Sequence, residues 1–333
     1  MQIGVGLGGD LRELGDLAAR AERAGFESVW CAETSRTAFV QAAIVAQATS
    51  TITVGTAVAL AFPRSPAIAA MAARDLGELS GGRFVLGLGS QVKRVNEQRF
   101  SVPFEHPAPK MAEFVEAVRA FLGAFSTGGV DYRGRFYRLT MPPFPGAGPP
   151  PEPVPVFVAA VNEGMAEAAG AVADGVLGHP MSSPRWVQEV LRPAVARGAA
   201  AAGRDPSSVN VTSGVILQVS QDREEALHEA AAQIAFYATT RTYRPVLALH
   251  GHDDLQEPIR RAFVQGDHAE MIRLALPMAD TLAVAGTPAE CRDKLAGYEG
   301  VADRVILGGA WIGPPPGRIA ANQLAILETF GPS

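Results

Sequence analysis

The sequence has few cysteines, no long apolar run and no sign of a leader segment. Its two cysteines, Cys31 and Cys291, lie far apart without the spacing of a metal site, which favours a reduced, cytosolic setting. No apolar run approaches the roughly 20 residues that cross a bilayer, so we expect no membrane partner. The start, MQIGVGLGGD, lacks the positive region followed by an apolar one that marks a signal peptide. We therefore expect a cytoplasmic protein.

The charge pattern argues against another class of partner. The formal net charge is -5, and the acidic and basic residues are interspersed along the chain. Neither a basic stripe nor a basic–aromatic cluster is present, so we expect no nucleic acid partner. Apolar residues, by contrast, are abundant: 47% of the 333 residues are hydrophobic, enough to bury a large core in one α/β domain or two smaller ones.

Residues 53–90 show the pattern around which the chain is organised. The apolar runs 54–60 and 84–88 do not alternate with polar residues, which is typical of strands buried on both faces of a parallel sheet. Between them, apolar residues recur at helical spacing after Pro66, and Ser80-Gly81-Gly82 supplies a left-handed stop. The stretch predicts a β-α-β unit. Its strands are rich in glycine and alanine, from which we expect the backbone to admit a flat ligand closely.

The same alternation of strand and helix continues along the chain. It predicts eight strands, each followed by a helix, at 3–7, 28–32, 54–60, 84–88, 154–161, 175–178, 209–219 and 303–307. Two excursions interrupt the pattern: a Gly- and Pro-rich segment at 127–153, predicted as a small hairpin, and a helical segment at 239–279. Eight β-α units over this length predict a (β/α)8 TIM barrel, one domain spanning 1–333, with its site at the carboxyl ends of the strands.

A nucleotide-binding motif near the start is discounted. Gly4, Gly6 and Gly9 match G-x-G-x-x-G, and Glu33 follows at roughly the spacing of a ribose-binding acid. Only three residues precede Gly4, too few for a full buried strand before the turn. The glycines therefore fall within the strand itself, and we do not expect a Rossmann site.

The predicted strand ends are poor in nucleophiles and metal ligands. No Ser-His-Asp set with a nucleophile elbow and no H-E-x-x-H motif falls there. His250 and His252 are one residue apart, but they lie in the 239–279 segment without nearby acids, and a solvated loop is the simpler interpretation. A pocket lined with small residues and amides suits a cofactor that brings its own reactivity.

Six motifs fall in order across almost the whole chain. They are GFESVW at 25–30, VGTAV at 54–58, SGGRFVLGLGS at 80–90, VFVAA at 156–160, ADGVLGHP at 173–180 and AGTPAEC at 285–291. In this combination the sequence resembles the bacterial luciferase-like monooxygenase superfamily, in its branch of oxidoreductases that use the deazaflavin coenzyme F420. The resemblance implies the luciferase-like barrel and coenzyme F420 as cofactor, with FMN as the alternative.

The resemblance also implies a cofactor-binding set: Glu33, Ala57, Val58, Leu60, Ser90, Gln91, Ala160, Val161, Asn162, Gly164, Met165 and His179. Ala57-Val58 matches a non-prolyl cis peptide behind the deazaflavin ring, with an ordinary strand end as the alternative. Glu33 matches an acid near the ring's polar edge, or it is a helix cap. The helix that starts after Asn162 matches one whose free amides meet phosphate, and Asn162 also suits a plain N-cap.

The catalytic candidates follow from what the chain has and lacks. The family's sugar-phosphate dehydrogenases carry an acid–histidine pair at the end of the second strand and a glutamate just past the fourth. At those positions this chain has Thr34 and Val92, which argues against a sugar phosphate as substrate. We expect hydride transfer between the deazaflavin and a small organic molecule, reducing an activated C=C or C=O. The proton would come from solvent, His179 or Glu33. The 239–279 segment is expected to cover this face, and the resemblance implies a homodimer.

Two other functions remain open at this stage. An FMN-dependent monooxygenase on the same barrel would use oxygen to oxidise a small organic molecule. A non-catalytic flavin- or deazaflavin-binding protein would account for the sparse acid and base residues. The sequence does not identify the substrate under any of the three.

Overall fold

The computed structural model describes residues 1–331, and within them a closed barrel of eight parallel strands is surrounded by helices. The strands in chain order are β1 (Gln2–Leu7), β2 (Ser28–Cys31), β3 (Thr53–Thr56), β4 (Ala59–Leu60), β5 (Phe84–Gly89), β6 (Tyr132–Arg133), β7 (Arg138–Leu139), β8 (Val156–Ala160), β9 (Gly175–Gly178), β10 (Asn210–Val219), β11 (Val284–Gly286) and β12 (Arg304–Gly308). The predicted (β/α)8 barrel is confirmed.

Helices follow the barrel strands and pack outside them. They are α1 (Leu14–Arg23), α2 (Ala38–Ala48), α3 (Pro66–Leu79), α4 (Lys93–Arg99), α5 (Pro107–Thr127), α6 (Glu163–Val172), α7 (Pro184–Trp186), α8 (Arg192–Ala201), α9 (Arg223–Ala238), α10 (Arg244–Leu249), α11 (Gln256–Gln265), α12 (His268–Leu282), α13 (Pro288–Leu295) and α14 (Pro316–Phe330). A π-helical turn, Val187–Leu191, joins α7 to α8. Single 3₁₀ turns lie at Pro206–Ser208, Arg241–Tyr243, Asp253–Leu255 and Ala296–Tyr298.

The barrel closes because its last strand pairs on both sides. Arg304 in β12 lies opposite Gln2 of β1 and opposite Thr212 of β10. The remaining neighbours run β1-β2-β3-β5-β8-β9-β10, all parallel, with β4 continuing along β5 after a break in β3. The short β11 adds to the outer part of β10. Parallel pairing throughout explains why the barrel strands read as near-continuous apolar runs.

Large side chains fill the barrel interior, and glycines on neighbouring strands leave room for them. The interior cluster consists of Trp30, Val85, Phe157, Leu177 and Ile306. A Cβ added at Gly55 would lie 2.4 Å from the Trp30 ring, and one at Gly4 would lie 2.3 Å from the Ser28 Oγ. Gly4 and Gly6 lie inside β1, so the apparent nucleotide motif serves barrel packing.

Two glycines near the end of β5 have a different role from the one expected. A Cβ at Gly87 would lie 1.8 Å from the carbonyl oxygen of Thr56, and one at Gly89 would lie 2.4 Å from Cγ2 of Val58. The space beside these glycines is therefore filled by β3 and the segment that follows it. The expectation that bare backbone faces a ligand at these two positions is wrong, because the small residues admit protein atoms.

The remaining differences from the sequence prediction concern element boundaries. Asp10 follows the first strand and was predicted to cap the first helix, but helix α1 begins only at Leu14. The Asp10 carboxylate accepts instead from the Arg12 amide in the preceding turn. Helix α4 was not predicted, since KRVNEQR has no apolar stripe, and neither was the three-residue β11. The left-handed stop after α3 is confirmed by positive φ angles of 65° and 88° at Gly81 and Gly82.

Both excursions have the structure that their sequences predict. Strands β6 and β7 form an antiparallel hairpin within 127–153, and helices α10 to α12 occupy most of 239–279.

Within residues 1–331, every helix is too short or too polar to serve as a membrane span. Cys31 and Cys291 are free, buried thiols, and burial raises the pKa of Cys31 to about 12 and that of Cys291 to about 11.

Candidate active site at the carboxyl ends of the strands

The carboxyl ends of the barrel strands form a mouth whose floor is made of small side chains. Ala57, Val58 and Ala159 are partly exposed and pack on the interior cluster of the barrel. The peptide bond between Ala57 and Val58 is cis, as the resemblance implies. The rim is formed by partly exposed residues that the sequence places together: Glu33, Ser90, Gln91, Val161, Asn162 and His179. The structure therefore brings most of the predicted set to one end of the barrel.

Glu33 follows β2, and its carboxylate is held by an ion pair. One oxygen accepts from the Leu60 amide at 2.8 Å and from Nη1 of Arg64 at 2.7 Å, while the second oxygen accepts from Nη2. The Arg64 guanidinium also donates to the Leu60 carbonyl at 2.8 Å and lies over the Phe39 ring. The Glu33 side chain is 9% exposed. Because the N-cap of α2 is Thr37, the helix-cap alternative for Glu33 is wrong.

The loop after β5 is fixed by a helix that the sequence did not reveal. Asn96 of α4 is fully buried, and its Nδ2 donates to the carbonyls of Ser90 at 2.8 Å and Val92 at 3.1 Å. Gln91 has a left-handed backbone with φ 58°, and its side-chain oxygen accepts from the Val92 amide at 2.9 Å. The backbone of Ser90 and Gln91 is thereby held at the rim.

Asn162 occupies the N-cap position of α6, yet its side chain does not cap the helix. Its Nδ2 donates to the Thr242 carbonyl at 3.1 Å, and its buried Oδ1 has no donor within residues 1–331. In that same part of the chain, the amides of Glu163 and Gly164 have no acceptor. The Met165 amide donates to the Asn162 carbonyl at 3.2 Å, so it is not the free donor that was predicted.

His179 follows β9 and has both ring nitrogens engaged. Nδ1 accepts from the Met181 amide at 3.2 Å, and Nε2 lies 3.0 Å from the Tyr243 Oη. The rings of Tyr237 and Tyr243 lie 4.5 and 4.6 Å from the imidazole, centroid to centroid. This burial lowers the pKa of His179 to about 3 and raises the pKa of Tyr237 to about 12. The ring is therefore neutral near pH 7, which argues against an imidazolium proton donor.

The 239–279 segment is tied to the rim of the mouth. Besides the contacts of Thr242 and Tyr243, His250 Nε2 lies 2.8 Å from the Ser183 Oγ, and Arg185 donates to the Leu249 carbonyl at 3.0 Å. Burial, followed by the nearby Arg185, lowers the pKa of His250. His250 thus anchors this segment to the turn before α7.

Several predicted positions expose little of their surface at the mouth. Leu60 and Ala160 are 3% and 1% exposed, so little of their surface is open to a ligand. Gln218, near the end of the predicted strand 209–219, is also buried, and its side-chain oxygen accepts from the Ala310 amide at 2.8 Å. The roles proposed for the binding and catalytic set remain predictions.

Sequence reasoning missed five residues that shape the mouth: Arg64, Asn96, Tyr237, Thr242 and Tyr243. One signal was available for the tyrosines. Aromatic residues make up 7% of the chain, yet FYATTRTY, residues 236–243, contains three of them in eight positions at the start of an excursion. Arg64 and Asn96 offered no comparable signal, because their partners are backbone groups or lie in distant segments.

Known proteins match this chain over most of its length. Residues 2–304 match the model of the luciferase-like monooxygenase family. An uncharacterised protein of Mycobacterium tuberculosis is 42% identical over 308 residues, which cover 89% of each chain. The 5,10-methylenetetrahydromethanopterin reductase of Methanolobus tindarius is 30% identical over 305 residues, 89% of this chain and 90% of that protein.

A solved structure shows the same fold. The coenzyme F420-dependent tetrahydromethanopterin reductase of Methanopyrus kandleri superposes with a TM-score of 0.81 at 23% identity, over 99% of this chain and 97% of that one. The relative from Methanolobus tindarius is named as a reductase, the solved structure is named as an F420-dependent reductase, and the family model is named for monooxygenases. Since that model spans nearly the whole barrel and a relative is 42% identical over 89% of the chain, this protein belongs to the luciferase-like monooxygenase family.

Proposed function

We propose that this protein is an F420-dependent oxidoreductase that reduces an activated C=C or C=O bond of a small organic molecule. The observation that carries the proposal is the uncapped start of α6 beside the unpaired Oδ1 of Asn162. A coenzyme with a hydroxylated side chain and a phosphate would supply what both groups lack. The name of the solved Methanopyrus kandleri reductase, which has the same fold, supports F420 as that coenzyme.

The residues at the mouth fit such a coenzyme. The amides of Glu163 and Gly164, at the positive end of a ten-residue helix, would hold the phosphate. The Asn162 Oδ1 would accept from a hydroxyl of the side chain, since a buried acceptor without a donor is costly. The Ser90 hydroxyl would bind the coenzyme's side chain at a second point. Gln91 holds the turn after β5 in place. Val58 and its small neighbours would leave a flat floor for the ring.

The chain's own groups would orient the reactants and exclude water. When bound, the reduced deazaflavin supplies hydride chemistry. We propose that Glu33 acts as a positioning residue, because Arg64 and the Leu60 amide already hold its carboxylate. The 239–279 segment, tied to Asn162 and His179 at the rim, would shield one side of the mouth from solvent.

Parallel titrations of the purified protein with F420, FMN and NADP test the cofactor. We expect F420 to bind with one site per chain and at least tenfold more tightly than FMN, with no binding of NADP. Tighter binding of FMN would contradict the proposal and favour the monooxygenase alternative, which the family model's name supports. Binding of F420 without turnover of any substrate would favour the non-catalytic alternative.

We also propose that two copies associate through α2 and α3. The sequence of α2, AFVQAAIVAQA, has no polar face, and helices of that kind are normally buried. Val40 is nevertheless 51% exposed, and Ile68 of α3 is 56% exposed. A second copy would cover them. Light scattering should give the mass of a dimer for the wild type and of a monomer for Val40→Glu with Ile68→Glu; a monomeric wild type would contradict the proposal.

A further inference from the structure

The geometry points to Tyr243 as the residue that donates a hydrogen bond, and then a proton, to the substrate, with His179 holding the tyrosine in that orientation. The inference rests on the proposed function and names the proton donor of that same site. It replaces the two side chains that the sequence offered as alternatives to solvent, because Glu33 is held by Arg64 and His179 is neutral.

The argument begins with the tautomer of His179. A backbone amide only donates, so the Met181 amide requires a lone pair on Nδ1, 3.2 Å away. A neutral imidazole then carries its hydrogen on Nε2. Nε2–H therefore donates to the Tyr243 Oη at 3.0 Å. The opposite tautomer would place an N–H against the Met181 amide, donor against donor.

The consequence concerns the hydrogen of the Tyr243 hydroxyl. Since Oη accepts from His179, its own hydrogen is not used in that bond. No other acceptor lies within hydrogen-bond distance of Oη in residues 1–331. Burial raises the pKa of Tyr243, so the hydroxyl keeps its hydrogen at neutral pH. The tyrosine is a neutral donor with one hydrogen left to give.

The position of Tyr243 suits a ligand in the mouth. Leu177 belongs to the interior cluster, and His179 lies two residues further along the same strand direction, so its side chain also faces inward at the rim. Asn162, on the neighbouring strand end, binds the Thr242 carbonyl next to the tyrosine. Tyr243 is thus held at the carboxyl ends of two neighbouring strands, where the proposed ligand would lie.

The proton balance of the step is simple. A carbonyl or conjugated C=C that gains a hydride, with its two electrons, from the reduced deazaflavin becomes an alkoxide or an enolate. Tyr243 gives its hydroxyl proton to that anion, and the bond from Nε2–H of His179 stabilises the tyrosinate that forms. A proton from water then restores the phenol. His179 keeps its proton throughout and acts as a positioning residue.

The first test needs no coenzyme. Long-range ¹H–¹⁵N NMR of the protein alone, with His179→Gln to assign the resonances, reports which ring nitrogen carries hydrogen. We expect the Nε2–H tautomer between pH 5 and 8. The Nδ1–H tautomer, or a ring that protonates near pH 6.5, would overturn the proposal.

The second test uses Tyr243→Phe with Tyr237→Phe as the matched control. Tyr237 packs on the same imidazole, but its hydroxyl makes no bond to His179. The probes are cyclohex-2-en-1-one and cyclohexanone with chemically reduced F420. Tyr243→Phe should lower kcat about 100-fold or more, with KM and the F420 Kd within about threefold. In Tyr237→Phe, kcat, KM and the F420 Kd should all stay within about threefold of the wild-type values. His179→Gln, whose amide can still donate, should retain more activity than His179→Phe.

The outcomes separate this proposal from the proposed function. A Tyr243→Phe variant that binds F420 and turns over like the wild type overturns the proton donor alone. Equal losses in both tyrosine variants would indicate a packing effect and would also overturn it. A wild-type protein that binds no F420, or reduces neither probe, overturns the proposed function and this proposal with it.

Discussion

Two sides of the barrel mouth differ in how their polar atoms are satisfied. On the clamped side, formed by Glu33, Leu60 and Arg64, the carboxylate accepts three hydrogen bonds from protein groups. On the open side, formed by residues 162–164, His179 and Tyr243, an amide oxygen, two backbone amides and a phenol hydrogen have no partner in the described chain.

This difference shows where a ligand is needed. Folded proteins rarely leave buried polar groups unpaired, so the buried Asn162 Oδ1 marks a place that something else completes. The amides of Glu163 and Gly164 lie beside it at an exposed helix start. Glu33 was predicted to be functional because an acid at a strand end suggests chemistry, whereas its partner Arg64 was not predicted. In the structure that pair supports the rim, and neutral groups on the opposite side are available for binding.

Removing Arg64 should give the largest effect on stability. Arg64→Ala leaves the Glu33 carboxylate, 9% exposed, without its cation, and we expect the free energy of unfolding to fall by about 3 kcal/mol. Denaturant unfolding measures this. The double variant Glu33→Gln with Arg64→Ala should recover part of the loss, because no charge is left unpaired. A loss below about 1 kcal/mol in the single variant would contradict the clamped side as described.

Adding a carboxylate to the open side should change binding more than stability. Asn162→Asp places an acceptor at the N-cap of α6, where it would occupy the free amides and repel a phosphate. We expect the F420 Kd to rise at least tenfold, about 1.4 kcal/mol, with less than about 1 kcal/mol change in unfolding free energy. Fluorescence titration measures the Kd.

The matched control is Thr37→Asp, which puts the same charge at the N-cap of α2 beside the clamped side. There the F420 Kd should stay within about twofold of wild type. Equal effects of the two substitutions would remove the distinction between the two sides.

The last prediction concerns the pH dependence of stability. The pKa of His179 is lowered to about 3 by burial, while the unfolded ring has its ordinary value of about 6.5. Below pH 6.5 the unfolded chain therefore takes up a proton that the folded ring refuses, so this group lowers stability as pH falls toward 3. The slope is at most about 1.4 kcal/mol per pH unit. Measuring the unfolding free energy of the wild type and of His179→Gln between pH 4 and 7 isolates the contribution of this group. If the unfolding free energy of both proteins changes equally with pH, a buried, neutral ring is contradicted.

Sequence reasoning found the barrel because its signals are local. Buried parallel strands read as apolar runs, and stops such as Gly81-Gly82 require a left-handed backbone that glycine adopts easily. Helix α4 escaped notice because its only fully buried polar residue, Asn96, serves the β5 loop through backbone carbonyls.

The site was harder to predict because its decisive contacts join distant segments. Asn162 was identified from its place before a helix, but nothing local shows that its side chain turns to Thr242, 80 residues away. Likewise, His179 appears as a lone histidine until the fold brings Tyr243 to its Nε2. Strand ends are therefore predictable, whereas the hydrogen-bond partners that decide their chemistry are not.

Hydrogen–deuterium exchange with and without F420 tests the central claim, that the open side holds the coenzyme's phosphate and side chain. The account predicts slower exchange on binding in peptides covering 160–166 and 239–245, because the free amides of Glu163 and Gly164 gain an acceptor and the adjoining segment is held in place. FMN at the same concentration should give little protection there. Protection confined to residues 28–64, around the Glu33–Arg64 pair, would contradict the claim.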